Sequence, residues 1–289
     1  MPRNYPNFGP GRRPQAAIPT TTMARLPRLP DLLTTANLAC GVLSILLASQ
    51  GQLTAACWLV FAAALFDVFD GLAARALGGG TPLGAQLDSL ADMVSFGVAP
   101  AFIAAIDPAK ALHRIISAHR DFLPVSGSGG GGSESLFGDP FWMSGLTTGI
   151  LCIASCWRLA RFNIDTRQTS GFMGLATPAN ALFWISIALT GAGAQIHPGP
   201  FAETLHAIIL EFAHSPIAKM LIALVLGILM LSELPLPSLK FKHFRWPGNQ
   251  VIYLLGGIGA VLVVLYGILA VPLILLLYLL SPLWGKLFR

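Results

Sequence analysis

The fold class this chain predicts is an all-α membrane protein of about eight transmembrane helices, with its N- and C-termini on the cytoplasmic side. Three observations predict it. Hydrophobic residues make up 54% of the 289 positions and charged residues only 11%, whereas a soluble domain is about a quarter charged. The apolar residues gather in blocks of about twenty, the helix length that crosses ~30 Å of hydrocarbon. The basic residues, finally, fall mostly on one side of those blocks. A period-2 alternation, which a membrane β-barrel needs, is absent.

Taken in order, the apolar blocks cover residues 31–49, 53–77, 84–106, 141–162, 175–195, 216–233, 249–267 and 269–284. From Val251 to Leu283 the chain is almost continuously apolar. That run is too long for one span, and a division near Gly267 places Pro272 in the first turns of the last helix, where proline is tolerated. Residues 1–29 are rich in Pro and Arg and read as a disordered basic cytoplasmic tail ahead of a membrane domain over 30–285. The one long insertion, 107–140, falls on the extracytoplasmic side. Its start, Asp107 to Leu123, has the character of a short interfacial helix, and Ser126 to Ser133 that of a flexible Gly/Ser linker. The stretch Gly191 to Ser215 carries His197, His206, His214, Glu203 and Glu211 and reads as a wet outer loop. The first block is long for a signal-peptide core, and no cleavage site follows it clearly.

Charge tests this topology. Eight spans place Arg3, Arg12, Arg13, Arg25, Arg28, Arg75, Arg158, Arg161, Arg167, Lys240, Lys242, Arg245, Lys286 and Arg289 inside. Only Lys110, Arg114, Arg120 and Lys219, four of the 18 basic residues, fall outside or near the outer face. That bias is the positive-inside pattern. The net charge of +5 therefore reads as orientation and contact with anionic lipid, not as nucleic-acid binding. Cys40, Cys57, Cys152 and Cys156 all lie inside apolar blocks and read as small packing residues. No Cys/His group has zinc spacing.

Against this background one stretch stands out. Asp67, Asp70, Asp88 and Asp92, with Arg75, lie in one of the most apolar parts of the chain. A buried, unpaired carboxylate costs several kcal/mol or more, so four of them demand a counter-charge. On a helix, Asp67, Asp70, Gly71, Ala74 and Arg75 share one face, and Gly84, Asp88 and Asp92 share a face of the next. The linker 76–83 holds three glycines and Pro82, which predicts a tight reversal. Two antiparallel helices then present two pairs of carboxylates to each other near the cytoplasmic surface.

Oxygen-only donors suit a hard cation, Mg²⁺ or Mn²⁺. Four facing carboxylates can hold two divalent cations, the arrangement that clamps an in-line phosphoryl displacement. Gly71, Ala74 and Gly84 leave room for a bulky ligand near the backbone, and Arg75 offers a planar fork to phosphate. A purely structural charge network leaves three negative charges over. A divalent-cation transporter also uses intramembrane acids, but these cluster at one end of their spans and nothing similar recurs in later helices.

The spacing Asp-Gly-x2-Ala-Arg-x8-Gly-x3-Asp-x3-Asp, with a further Asp three residues earlier, resembles the signature of the CDP-alcohol phosphotransferases at every fixed position. Three more segments are similar to the membrane-embedded phosphatidylserine synthases of that family. They are Pro30 to Gly41 with Thr34 and Asn37, Asp88 to Pro100, and Arg158-Leu-Ala-Arg161-Phe-Asn163 followed by Phe172 to Ala179. Ala176 departs from the proline usual there, and the Gly-rich insertion and N-terminal tail are not part of the usual pattern.

The resemblance implies transfer of the phosphatidyl group from CDP-diacylglycerol to the hydroxyl of L-serine, giving phosphatidylserine and CMP. It implies that Asp67, Asp70, Asp88 and Asp92 bind two metal ions, that Asp92 is also the general base, and that Gly71, Ala74, Arg75, Gly84, Thr34 and Asn37 contact the CDP part. Serine binding falls to Arg158, Arg161 and Asn163, although both arginines also read as helix-end anchors. A homodimer in the inner membrane of a prokaryote, with its site facing the cytoplasm, completes the expectation. The other readings are the same transfer to glycerol phosphate, inositol phosphate or choline, and the cation transporter.

Overall fold

The computed structural model describes residues 28–107, 140–164, 172–193, 199–236 and 250–284. The tail before Arg28, the interfacial helix and linker expected within 107–140, and Arg167, Lys240, Lys242, Arg245, Lys286 and Arg289 lie outside these residues. The described chain is helical apart from one two-residue strand pair.

α1 (Leu29–Ser49) and α2 (Leu53–Ala76) form an antiparallel hairpin. It turns through Gly51, whose φ of 84° lies in the left-handed region that glycine enters without strain. The hairpin closes on small residues. Ala56, Cys57, Val60 and Ala63 are fully buried, and Ser44 donates its hydroxyl to the Ala56 carbonyl at 2.8 Å. That bond satisfies a polar group which hydrocarbon cannot.

After α2 the chain reverses as expected. Gly78 and Gly79, at φ 90° and 109°, supply the turn. Thr81 then caps α3 (Pro82–Asp92), its hydroxyl accepting the Gly84 N–H at 2.9 Å, with Pro82 in the first turn. α3 runs without a break into a π-helical segment, Met93–Val98, and then α4 (Ala99–Ala105). Pro100 has no N–H to offer the carbonyl one turn back, which accounts for the widened turn at this point.

α5 (Pro140–Ile164) packs against α8 (Pro216–Leu231). Between them in sequence come β1 (Phe172–Met173), the central helix α6 (Thr177–Gly191) and α7 (Pro200–His214). β2 (Pro235–Leu236) follows α8 and pairs antiparallel with β1, Phe172 opposite Leu236 and Met173 opposite Pro235. Gly174 sits where that pair meets α8. Its φ is 70°, and a Cβ there would lie 2.6 Å from the Ser232 carbonyl oxygen, so only glycine fits. Ala176, the one departure from the resembled pattern, has φ −68° and ψ 137°. Those are proline-compatible angles, so the departure leaves the backbone path unchanged.

α9 (Gln250–Tyr266), a 3₁₀ turn at Gly267–Leu269 and α10 (Ala270–Trp284) complete the chain. The break at Gly267 lies where the sequence places it. α6 is enclosed on most sides, with Ala181, Trp184 and Ile185 wholly buried. The outer faces of the other helices carry Trp58, Leu65, Val68, Ile153 and Trp157 exposed, as a lipid-facing surface requires.

Among the described residues, five helices are long and apolar enough to cross a membrane: Leu29–Ser49, Leu53–Ala76, Pro82–Ala105, Trp142–Ile164 and Gln250–Pro282. A sixth is formed if α7 and α8, which meet at 95°, count as one broken span. The rest of the expected eight consists of α6, only 15 residues long, and of the division of Gln250–Pro282 at its 3₁₀ turn. One expectation is corrected outright. Most of the supposed outer loop is helix α7, which buries Ala202, Ile209 and Ala213 and packs against α6 at Phe183 and Ile187. Its apolar residues recur at helical spacing, and the histidines and glutamates had obscured that period.

Candidate active site

Asp67 and Asp70 on α2 and Asp88 on α3 converge. One carboxylate oxygen from each lies within 4.8 Å of the other two. Asp70 is buried, and the others are half-buried. Helical spacing brings Asp67 and Asp70 to one face, and the glycine turn folds Asp88 against them.

Neighbouring side chains answer only part of this charge. Thr34 on α1 donates its hydroxyl to Asp70 Oδ2 at 2.7 Å, while Asp88 Oδ1 is buried with no hydrogen-bond partner. Arg75 is exposed, and its guanidinium folds back to within 3.7 Å of where a Cβ on Gly71 would stand. Three clustered carboxylates with an orphaned oxygen fit a hard divalent cation, which would neutralise them and take that oxygen as a ligand.

Asp92 does not belong to this tight group. It stands deeper along the same helix, within electrostatic range of Asp67, Asp88 and Asp70. Asn37 Nδ2 donates to its Oδ1 at 3.2 Å. The next turn of the π-helical segment returns the contact, with Ser95 Oγ donating to the Asn37 carbonyl at 2.9 Å. A π-turn beside a functional carboxylate is a recurrent device, because it re-aims the residues that flank it.

A cleft opens beside the cluster, with an empty volume of about 620 Å³ that includes its solvent-open mouth. Thr34, Asp70, Gly71, Ala74, Gly84 and Asp88 are in its walls, all of them residues singled out from sequence. A Cβ on Gly84 would stand 3.1 Å from Asp31 Oδ1 and Thr81 Oγ1, so the glycine keeps the wall open. Asn37 is not among the lining residues.

The same walls contain Arg28, Asp31, Gly79, Gly80 and Thr81, which sequence reasoning passed over. Their signals were local ones. Thr81-Pro82 is a helix-start signature. Asp31 sits in the first turn of α1 and accepts the Arg28 N–H at 3.0 Å.

The three residues expected to hold the acceptor separate. Arg158 on α5 is buried, 8% exposed, and donates from one guanidinium nitrogen to Thr177 Oγ1 at 3.2 Å. Its Nε is buried without a partner, and Asp92 and Tyr278 are its charged or ionisable neighbours. Arg161 points elsewhere and donates to the Leu231 carbonyl at 2.9 Å, closing the C-terminal end of α8. Asn163 Oδ1 accepts from Ser89 Oγ at 3.0 Å, tying α5 to α3.

Comparison with known proteins decides the family. Residues 28–231 match the family model described as CDP-alcohol phosphatidyltransferase. The chain belongs to that family. Its relatives include archaetidylserine synthase of Methanothermobacter thermautotrophicus, 36% identical over 165 residues, or 56% of this chain and 58% of that protein. CDP-diacylglycerol–serine O-phosphatidyltransferase of Bacillus subtilis is 29% identical over 222 residues, 75% of this chain and 91% of that one. The Helicobacter pylori protein of the same name is 28% identical over 219 residues, 75% and 74% of the two chains. For this CDP-alcohol phosphatidyltransferase the matched region takes in the carboxylate cluster, the cleft and Arg158. α9 and α10 lie beyond it.

Proposed function

We propose that the protein transfers the phosphatidyl group of CDP-diacylglycerol to the hydroxyl of L-serine, releasing CMP, with two divalent cations, Mg²⁺ or Mn²⁺. The observation that carries the reading is the convergence of Asp67, Asp70 and Asp88, the last two of them in the wall of a cleft that Gly71, Ala74 and Gly84 also line. Serine as acceptor is supported by the names of the relatives and by one buried cation, Arg158, beside Asp92.

In this reading CDP occupies the cleft, its diphosphate facing the start of α3 and Arg75. Helix N-termini favour phosphate, and an arginine fork pairs with it. Asp67, Asp70 and Asp88, with Asp92 at the inner edge, would hold the cations, which supply charge neutralisation for the diphosphate and for the departing CMP. Asp92 takes the proton from the serine hydroxyl. The freed oxygen forms its bond to the lipid-bearing phosphorus as the bond from that phosphorus to the CMP oxygen breaks. Arg158 pairs with the serine carboxylate. Eight spans, cytoplasmic termini, a site at the cytoplasmic face of a prokaryotic inner membrane and a homodimer belong to the same proposal.

The test uses purified full-length protein in detergent with labelled CDP-diacylglycerol, a panel of alcohols, and Mg²⁺ or Mn²⁺ against EDTA. CMP release that needs both L-serine and metal is the expected result. Release with glycerol phosphate, inositol phosphate or choline alone would reassign the acceptor. Metal flux into liposomes with no CMP release would replace the enzyme by a transporter.

A further inference from the structure

The start of α6 is fixed by its backbone. The Gly174 N–H donates to the Leu234 carbonyl and the Leu175 N–H to the Leu229 carbonyl, each at 3.0 Å. Phe172 and Met173 pair with Leu236 and Pro235, and Pro178 presets the first turn of the helix. Thr177 is thereby delivered to one place in the interior, with none of its surface exposed. Ala176 takes the N-cap position, so the Thr177 hydroxyl is not spent on capping. A hydroxyl buried away from water needs a partner. This one accepts from a guanidinium nitrogen of Arg158 at 3.2 Å, across 19 positions of sequence.

Arg158, in turn, stands level with Asp92. α5 runs antiparallel to α3 and the π-helical segment, and two contacts set the register. The Ser155 Cβ is 3.1 Å from where a Cβ on Gly97 would stand, and Asn163 Oδ1 accepts from Ser89 Oγ at 3.0 Å. Ser155 and Asn163 are eight residues apart, as are Ser89 and Gly97, so the register is even between them. Arg158 falls inside this stretch, opposite the first residues of the π-helical segment and ~3 Å along the axis from Asp92. Its side chain is buried, and Nε has no partner. A guanidinium carries five N–H donors in a planar fork, and a fork pairs with a carboxylate only when its plane is set. One fixed acceptor on one edge sets that plane.

We propose that Thr177 is a positioning residue for the acceptor. By accepting from one guanidinium nitrogen, it holds the remaining N–H edge of Arg158 in the orientation that pairs with the carboxylate of a hydroxy amino acid. This rests on the serine reading above, and names the residue that keeps its carboxylate-binding arginine in place. Thr177 acts through Arg158 alone.

The experiment compares wild type, Thr177→Val and Thr177→Ser, full length in detergent, with CDP-diacylglycerol as donor and L-serine or L-serinamide as acceptor. Serinamide keeps the hydroxyl and amine and lacks the carboxylate. Valine keeps the shape of threonine and removes the accepting oxygen; serine retains the oxygen. The expected result for Thr177→Val is a serine KM raised about tenfold, the worth of a hydrogen bond to a charged group. The CDP-diacylglycerol KM should stay unchanged, and the preference for serine over serinamide should shrink by the same factor. Thr177→Ser should stay close to wild type. In an Arg158→Ala background Thr177→Val should cost nothing further in kcat/KM for serine, because residues that act as a unit are not additive. Thr177→Ala removes the same oxygen with less bulk, and serves if the Val variant is recovered poorly.

An equal loss with both acceptors, a Ser variant as impaired as Val, or a full additional loss in the Arg158→Ala background would make Thr177 a packing residue and overturn the inference. An unchanged serine KM in Thr177→Val overturns it while leaving the serine reading intact. Wild-type protein that releases no CMP with serine overturns both.

Discussion

Asn37 donates its side-chain amide to Asp92 across 3.2 Å, and does so fully buried, with its own Oδ1 unpartnered. This one contact joins the first helix to the carboxylate proposed as general base. It also recasts Asn37, which the sequence resemblance assigned to the nucleotide and which the structure sets away from the lining of the cleft.

As a positioning residue, Asn37 should act on turnover rather than on nucleotide affinity. Asn37→Ala is expected to lower kcat by about 10–100-fold, the worth of a buried hydrogen bond to a charged group. The KM for CDP-diacylglycerol should change by less than about threefold, a split expected of transition-state effects. Asn37→Asp, which sets a second carboxylate against Asp92, should be worse than Ala. Steady-state kinetics over both substrates checks this; an effect confined to the CDP-diacylglycerol KM would return Asn37 to the nucleotide.

Gly41 on α1 meets the π-helical segment at the same level. A Cβ there would lie 2.5 Å from Ser95 Oγ, 2.8 Å from its Cα and 3.0 Å from its backbone nitrogen. Backbone atoms cannot rotate away, so Gly41→Ala should cost about 1–3 kcal/mol and lower the melting temperature in detergent by several degrees. Gly259→Ala on α9 is the control. Its Cβ would meet Ile274 at 3.6 Å, an ordinary contact, and stability should be unchanged or slightly higher. Equal melting temperatures for the two variants would refute the close approach of α1 to the π turn.

Arg161 and Arg158, one helical turn apart, should prove functionally unlike. Arg161 serves the Leu231 carbonyl at the end of α8. Arg161→Ala is expected to lose about 1 kcal/mol of stability with the serine KM unchanged, whereas Arg158→Ala should raise the serine KM by more than tenfold. A raised serine KM in Arg161→Ala would restore that residue to the acceptor site.

Much of this site could be read before folding because its logic is local. Asp67, Asp70, Gly71, Ala74 and Arg75 are one helix face by periodicity alone, and three glycines with Pro82 must turn back. The structure keeps that arrangement and brings Asp67, Asp70 and Asp88 together. The expected serine triad was also adjacent in sequence, yet the fold sends Arg158, Arg161 and Asn163 to Thr177, Leu231 and Ser89. Residues three apart on a helix share a side, but the neighbours on that side differ from one turn to the next.

The sequence by itself determined the membrane class and the two helix faces that carry the aspartates, a donor set of the kind that suits a hard cation. Hydrophobic block length, charge content and helical spacing are properties of contiguous residues. Only the tertiary structure decided that Thr34 holds Asp70 from 36 positions away and Asn37 holds Asp92 from 55. It alone placed the π turn under Asp92 and brought Tyr278 of the last helix within electrostatic range of Arg158. Those pairings depend on how helices cross and at which residues they touch, and no periodicity within a single segment encodes that.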